Sequence, residues 1–429
     1  MIFALFARRM RVAAAIVALL FRASGVFAAE NLSPLAPSPD WSSLEQYQET
    51  ITHDEFTALL REVYCARGLS PEILRIETDT AQMLMNKDAQ SWFTLRFAKD
   101  LAARKPITRT WRRAKSLPHP KRGKILSGLH VALDPGHIGG RWAQMEERWF
   151  KLGHAAPVQE GDMTLRVAKI LAVRLRTCGA KVSFVRRQTE PVTQRRPDDL
   201  RILARDVLIK AGASNPPESF DGPADPAKEQ AVRWQSELLF YRNSEIRARA
   251  AIVNSKLHPD MVLCLHFNAH EWGDPKNPTL IDANDLHLLA NGAYMESELA
   301  FDDVRFEMMR KLLSRTSDEE IPLVESVAGA MIRELKLPPY EYTTDNVIKL
   351  GTTGYVYARD LMANRIYNCP VVYCEPYDMN GKEAFARIQA EDYEGTREIL
   401  GVKRPSIYRE YAKSVADGLV EYYSAKRRN

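Results

Sequence analysis

Cysteine is scarce in this 429-residue chain. There are five, Cys65, Cys178, Cys264, Cys369 and Cys374, and an odd number excludes a framework in which every thiol is paired. None follows the N-terminal apolar run, where a lipid-attachment site would need one. Long apolar runs are missing too: Val12 to Phe21 is about ten residues, too short to span a bilayer. A real basic excess is also absent. The formal net charge is +5, but Arg8, Arg9, Arg11 and Arg22 stand in the first 29 residues with no acid, so the remainder carries five less four, +1. With no nucleic-acid reading motif either, nothing supports a nucleic-acid partner. No internal repeat is evident.

What is present begins with an address. The three leading arginines, the short apolar run and the small residues up to Val26-Phe-Ala-Ala29 read as an export signal, residues 1–29. The chain is therefore expected in the periplasm or outside the cell, with no transmembrane anchor after processing. Residues 30–103 read as a small α+β accessory unit. It has a Pro-rich entry, a helix over Leu44 to Arg67, and strands Ile73 to Met85 and Trp92 to Phe97 about the turn Asn86-Lys-Asp88. Residues 104–124 carry nine basic residues and no acid. That reads as a solvated linker or, more sharply, as a contact for anionic wall polymer or lipid headgroups. Residues 125–429 make the main domain. Strands alternating with helices there predict an α/β fold, an open, mostly parallel twisted sheet with helices on both faces.

Three apolar strands of this domain end in residues of one chemical kind. Leu129 to Leu133 runs into Asp134-Pro-Gly-His137, Met261 to Leu265 into His266-Phe-Asn-Ala-His270, and Val371-Val-Tyr-Cys into Glu375. Glu160 opens a helix marked by Met163, Val167, Ile170, Leu171 and Leu175 and stopped at Cys178-Gly179. In open α/β sheets the carboxyl edge of the strands is where ligands bind. Two histidines and one carboxylate leave zinc an open position, the pattern of a catalytic rather than a structural site. A second carboxylate then serves as general base and acid. This inventory describes a metal hydrolase of amides or esters. Cys264 and Cys374 each precede one of these residues, so alternation turns them to the other face, as buried inert thiols.

In this order the residues match a family: the chain resembles the zinc-dependent N-acetylmuramoyl-L-alanine amidases of bacterial cell walls. Asp134-Pro-Gly-His137 is similar to that family's first ligand motif, and Glu160 with its helix to the second. Arg247-Ala-Arg-Ala-Ala-Ile-Val-Asn254, Asp260 and Leu265-His-Phe-Asn-Ala269 resemble its arginine–asparagine helix and third ligand. Pro370-Val-Val-Tyr-Cys-Glu375 resembles the segment of its catalytic glutamate. The resemblance covers roughly residues 125 to 425. It implies one zinc per chain on His137, Glu160 and His266, with Glu375 as base and then acid. The implied substrate is peptidoglycan, cut between N-acetylmuramic acid and L-alanine. An activator protein is left open.

Departures from the family concern loops. The loop Ile138 to Gln159 is long and carries His154, Glu146 and Glu147, which compete with Glu160 as ligands. Segments 189–243 and 291–322 read as insertions, and Pro-Tyr-Asp-Met-Asn380 follows Glu375 where the family has Gly-Phe. The 291–322 segment has two readings, a surface helix packed elsewhere or an inhibitory helix over the zinc. Asp134 either holds its turn or accepts an imidazole N–H, and Asn268 either donates to the substrate carbonyl or satisfies a turn. Arg247 and Asn254 are read as structural, and His258, His270 and His287 as surface or cap residues. Two other functions stay open: a metal-dependent hydrolase of another wall peptide amide, and a non-catalytic peptidoglycan-binding protein.

Overall fold

The computed structural model describes residues 31–222 and 225–427, and every statement of structure below concerns these. The export signal expected at residues 1–29 lies outside them. No helix among them is long and apolar enough to cross a membrane.

The N-terminal unit starts with a 3-10 turn, Trp41–Tyr47, and the helix α1, His53–Leu59, which widens into a π turn over Leu60–Tyr64. One continuous helix was expected from Leu44. The chain breaks instead where Glu49 takes a positive φ of 62°. Thr52 then restarts the helix through a reciprocal capping box with Glu55. The strand expected over Ile73 to Met85 is likewise split. It forms β1, Leu74–Ile76, and β2, Thr80–Asn86, which pair antiparallel with each other, and β2 pairs with β3, Ser91–Arg96.

The main sheet is built from β4 (His130–Pro135), β7 (Lys181–Phe184), β8 (Met261–Leu265), β9 (Leu286–Ala290), β10 (Ile348–Leu350), β11 (Val356–Ala358) and β12 (Val371–Pro376). The two-residue strands β5 (Trp149–Phe150) and β6 (Val158–Gln159) and the hairpin β13 (Thr396–Ile399) and β14 (Val402–Pro405) lie outside it. The order across the seven strands is β10-β11-β9-β12-β8-β4-β7. Four of the six pairings are parallel; β9 runs antiparallel to β12, and β10 to β11. The reversal at β9 has a simple cause. A parallel neighbour needs a crossover back to the other end of the sheet, whereas the chain leaving β8 returns from the same rim.

Helices cover both faces. On one side α2 (Glu160–Thr177), α7 (Ser317–Leu335) and α10 (Ile407–Lys426) bury Val167, Leu171, Val327, Met331, Tyr411 and Leu419 against the sheet. On the other, α5 (Glu245–Ile252) and α8 (Met362–Ile366) contribute Ala250 and Ile366. The 189–243 segment forms α3 (Arg201–Lys210) and α4 (Val232–Leu238), which pack Leu200, Ala204 and Phe240 on Ile138 and Trp142, just beyond His137.

Two expectations gain detail. The helix α6, Asp302–Leu313, in the 291–322 segment completes the core of the N-terminal unit: Val304, Met308, Met309, Leu312 and Leu313 pack with Leu44, Phe56, Met83 and Phe93. Its buried Arg305 donates to Leu84 O at 2.7 Å, and Asp303 accepts from Ser33 N at 2.7 Å. α6 is thus packed elsewhere than over the three donors, as one of its two readings had it, although it is buried and not at the surface, because its apolar face is used up at the accessory unit. The basic 104–124 segment is largely exposed, in keeping with a solvated linker, but it is anchored at points. Trp111 is 4% exposed. Arg112 grips Asp260 with two nitrogens, at 2.9 and 2.7 Å, while Arg113 pairs with Asp318. Arg104 and Lys105 pair instead with Glu55 and Glu49 of the N-terminal unit. The five cysteines are free thiols, four of them buried, and burial pushes Cys369 up to about 12.

Candidate metal centre

The rim is shaped first by backbone. β4 ends at Pro135, and His137 takes a φ of 57°, a conformation that L-residues adopt only when held. The hold is Arg249, on α5. It donates to Pro135 O and His137 O, each at 2.8 Å, and to Asp134 Oδ1 at 3.0 Å. Thr164 Oγ1 on α2 donates to Gly136 O at 2.8 Å. Gly136 has to be glycine, since a Cβ there would sit 2.2 Å from His266 Cε1. The Asp134 turn and the His266 ring therefore touch directly.

The three expected ligands converge. Glu160, the first residue of α2, places Oε2 at 3.2 Å from His137 Nε2 and Oε1 at 3.1 Å from His266 Nδ1. The donor atoms of His137, Glu160 and His266 all lie within 4.8 Å of one another. The two imidazoles stand edge to face, 5.2 Å between centroids, and His266 stacks on Tyr373 at 4.4 Å. Phe267 N donates to Glu160 Oε1 at 3.1 Å. Burial drives the His137 pKa well down, which keeps its imidazole neutral and able to ligate. Burial works to raise Glu160, but His137, His266 and Arg148 outweigh it and hold the carboxylate ionised.

Two imidazole nitrogens and one carboxylate oxygen, converging in a pocket, are a donor set that zinc takes with a position to spare. Arg148 stands in for a cation here: its Nε lies 3.3 Å from both His137 Nε2 and Glu160 Oε2.

Glu375, at the end of β12, opens on the same cavity of about 850 Å³ as the three donors. Burial and the neighbouring Glu160 push its pKa well up, against Arg148 and Arg359. A carboxyl group so placed can take and return a proton.

The remaining expected residues divide. Asp134 does not meet an imidazole; its two oxygens accept from Arg249 and from Tyr367 at 2.5 Å, so it holds its turn. Asn268 lines the cavity, with its amide donated to Asp285 at 2.9 Å. Glu146 is no rival ligand, because its oxygens accept from the Ile138 and Gly139 amides. Glu147 pairs with Lys228, and His154 is exposed, away from the cavity lining. Arg247 reaches Ser33 and Asp303, and Asn254 fixes Ile366 and Asn368.

His287 requires correction: it is a buried strand residue, 4% exposed, paired in register with Glu375 across β9 and β12. It lines the cavity, and burial followed by Arg359 pushes its pKa down to about 3. Arg148, Arg249, Arg359, Tyr340 and Tyr342 were also missed as wall residues. No spacing signal marks them, except that Arg249 sits two places from Arg247.

No family model matches the chain, and no curated protein matches it. Among solved structures it is similar to the N-acetylmuramoyl-L-alanine amidase AmiC2 of Nostoc punctiforme, at 15% identity over 70% of this chain and 99% of the other, with a TM-score of 0.35. Ami1 of Mycobacterium smegmatis gives the same four values. The CwlD amidase of Clostridioides difficile, solved with the GerS lipoprotein, is 13% identical over 69% and 99%, with a TM-score of 0.36.

Proposed function

We propose that the chain is a zinc-dependent amidase that hydrolyses the bond between N-acetylmuramic acid and L-alanine in peptidoglycan. The observation that carries this reading is the convergence of the His137, Glu160 and His266 donor atoms within 4.8 Å, in a cavity that Glu375 shares. The motif order around these residues supports the substrate class.

In this reading His137, Glu160 and His266 hold the ion. When bound, zinc supplies Lewis acidity toward a carbonyl and toward water. Glu375 removes the proton of the attacking water and returns it to the departing amine, so one carboxylate serves both halves of the reaction. Burial and Glu160 raise its pKa, the direction that suits the return of the proton. Arg249 keeps His137 in its strained conformation, and Tyr373 fixes the His266 ring by stacking. Tyr340, Tyr342 and Arg359 form a wall suited to sugar and peptide polar groups. The same reading has residues 1–29 as an export signal, 30–103 as an accessory unit and 125–429 as the amidase domain, acting at the cell wall.

Mass spectrometry of purified muropeptides after incubation with zinc-loaded protein tests the proposal. The expected products are the intact glycan and a stem peptide with a free L-alanine amine. Cleavage within the stem would transfer the assignment to another wall amide. No cleavage by a folded, zinc-loaded chain would leave only a binding role.

A further inference from the structure

The rim that brings His137, Glu160 and His266 together also gathers a second donor set a few residues further along two of the same segments. Four residues beyond His266 stands His270, and three beyond Glu375 stands Asp378. The third member, Asp285, comes from the segment entering β9. His270 Nε2 lies 3.7 Å from Asp285 Oδ2 and 3.7 Å from Asp378 Oδ1. The donor atoms of the three residues lie within 4.8 Å of one another.

The three segments are laced so that this arrangement is held. Asn268 N donates to Pro376 O, Met379 N to Asn268 O at 2.8 Å, and Tyr377 N to Asp285 O at 2.9 Å. Asp285 N donates to Asp378 Oδ2 at 3.1 Å, and Asn380 Oδ1 accepts from His270 N at 3.1 Å. Gly381 allows the closest approach, since a Cβ there would lie 2.4 Å from Ala283 O.

Asp378 supplies the observation that points to a ligand. It is wholly buried, yet its Oδ1 makes no hydrogen bond and faces His270. That oxygen has only His270 Nε2, at 3.7 Å, to offset the hydration it gives up. We propose that His270, Asp285 and Asp378 form a second cation site beside the first, for a divalent ion of the zinc or manganese class. One imidazole and two carboxylates suit such an ion, with open positions for water or substrate oxygen. The two carboxylates need a positive charge between them. Asn268, bonded to Asp285 and lining the cavity, connects this site to the larger one.

The test is metal content. The full chain, stripped by a chelator and dialysed against zinc, is expected to hold two ions. His270→Ala, at a side chain 43% exposed and therefore safe for folding, should hold one. Asp285→Asn should do the same, and His266→Ala should lose the other ion. A His270→Ala chain with the zinc content of the parent would overturn the second site. A His266→Ala chain with undiminished zinc would instead overturn the first, so the two failures are distinguishable. Cobalt(II) titrated into the unmodified chain gives an independent readout. Two successive rises in the visible bands are expected, and saturation at one equivalent would contradict the proposal.

Discussion

Glu160 and Glu320 are both carboxylates removed from water, and their surroundings differ instructively. Glu320, on α7, accepts from Asn291 N at 2.6 Å and Val371 N at 2.8 Å, with Lys311 Nζ at 3.9 Å. Its partners are backbone amides and one buried ammonium, so nothing is left to exchange. Glu160 faces two imidazoles and a guanidinium on the wall of a cavity. Those partners can be traded for an ion. Glu320 staples α7 to β12, whereas Glu160 faces the cavity. Burial alone does not identify a site; what the buried charge is paired with does.

The largest expected effect separates the site from the scaffold. Glu375→Gln should lower turnover about 10²- to 10⁴-fold while melting temperature and zinc content stay at parent values, because the amide keeps the shape but cannot take a proton. A Glu320→Gln chain should do the reverse. Leaving Lys311 without its counter-charge in the interior costs about 3–5 kcal/mol, readable in denaturant unfolding, with turnover per folded molecule unchanged. If Glu320→Gln lost turnover at full stability, the contrast between the two carboxylates would collapse.

A smaller effect sharpens the contrast. Arg148 occupies the position of a cation, so Arg148→Ala should tighten zinc binding by about tenfold, the value of one charge-assisted hydrogen bond. Competition with a fluorescent chelator measures this. Weaker zinc binding in the variant would make Arg148 a support of the site instead of an occupant. The smallest effect lies in the N-terminal unit. Burial opposes ionisation of Glu55, but Arg315, the Thr52 amide and Arg104 outweigh it and lower its pKa. A lowered folded-state pKa gives stability that is whole above the ordinary value of 4.5 and is lost as the pH falls through the folded value. The melting-temperature gap between parent and Glu55→Gln should therefore be constant at neutral pH and close in acid.

What could be read beforehand follows the same division. The rim was legible because each rim strand is a local apolar run with an abrupt polar end: Asp134-Pro-Gly-His137, His266 and Glu375 all follow such runs. Arg249 was not, because its partner Asp134 lies 115 residues away and its helix shows no periodicity that marks it. His287 was misread because a histidine inside Leu-His-Leu-Leu gives no sign of which face it takes. The anchors of the 104–124 segment were not legible because its acids, Asp260 and Asp318, belong to distant segments. The partner of α6 was not legible for the same reason, since its complement is a sheet more than 200 residues earlier, reached by Arg305 to Leu84 across 221 residues.

The most direct test of the central claim is zinc content measured side by side in Glu160→Gln and Glu375→Gln, with muropeptide hydrolysis followed in both. The account predicts that Glu160→Gln holds one ion fewer than the parent and is inactive, whereas Glu375→Gln keeps the parent's zinc and is inactive. Full zinc in Glu160→Gln together with its loss in Glu375→Gln would contradict it, and would show that the two carboxylates have exchanged roles.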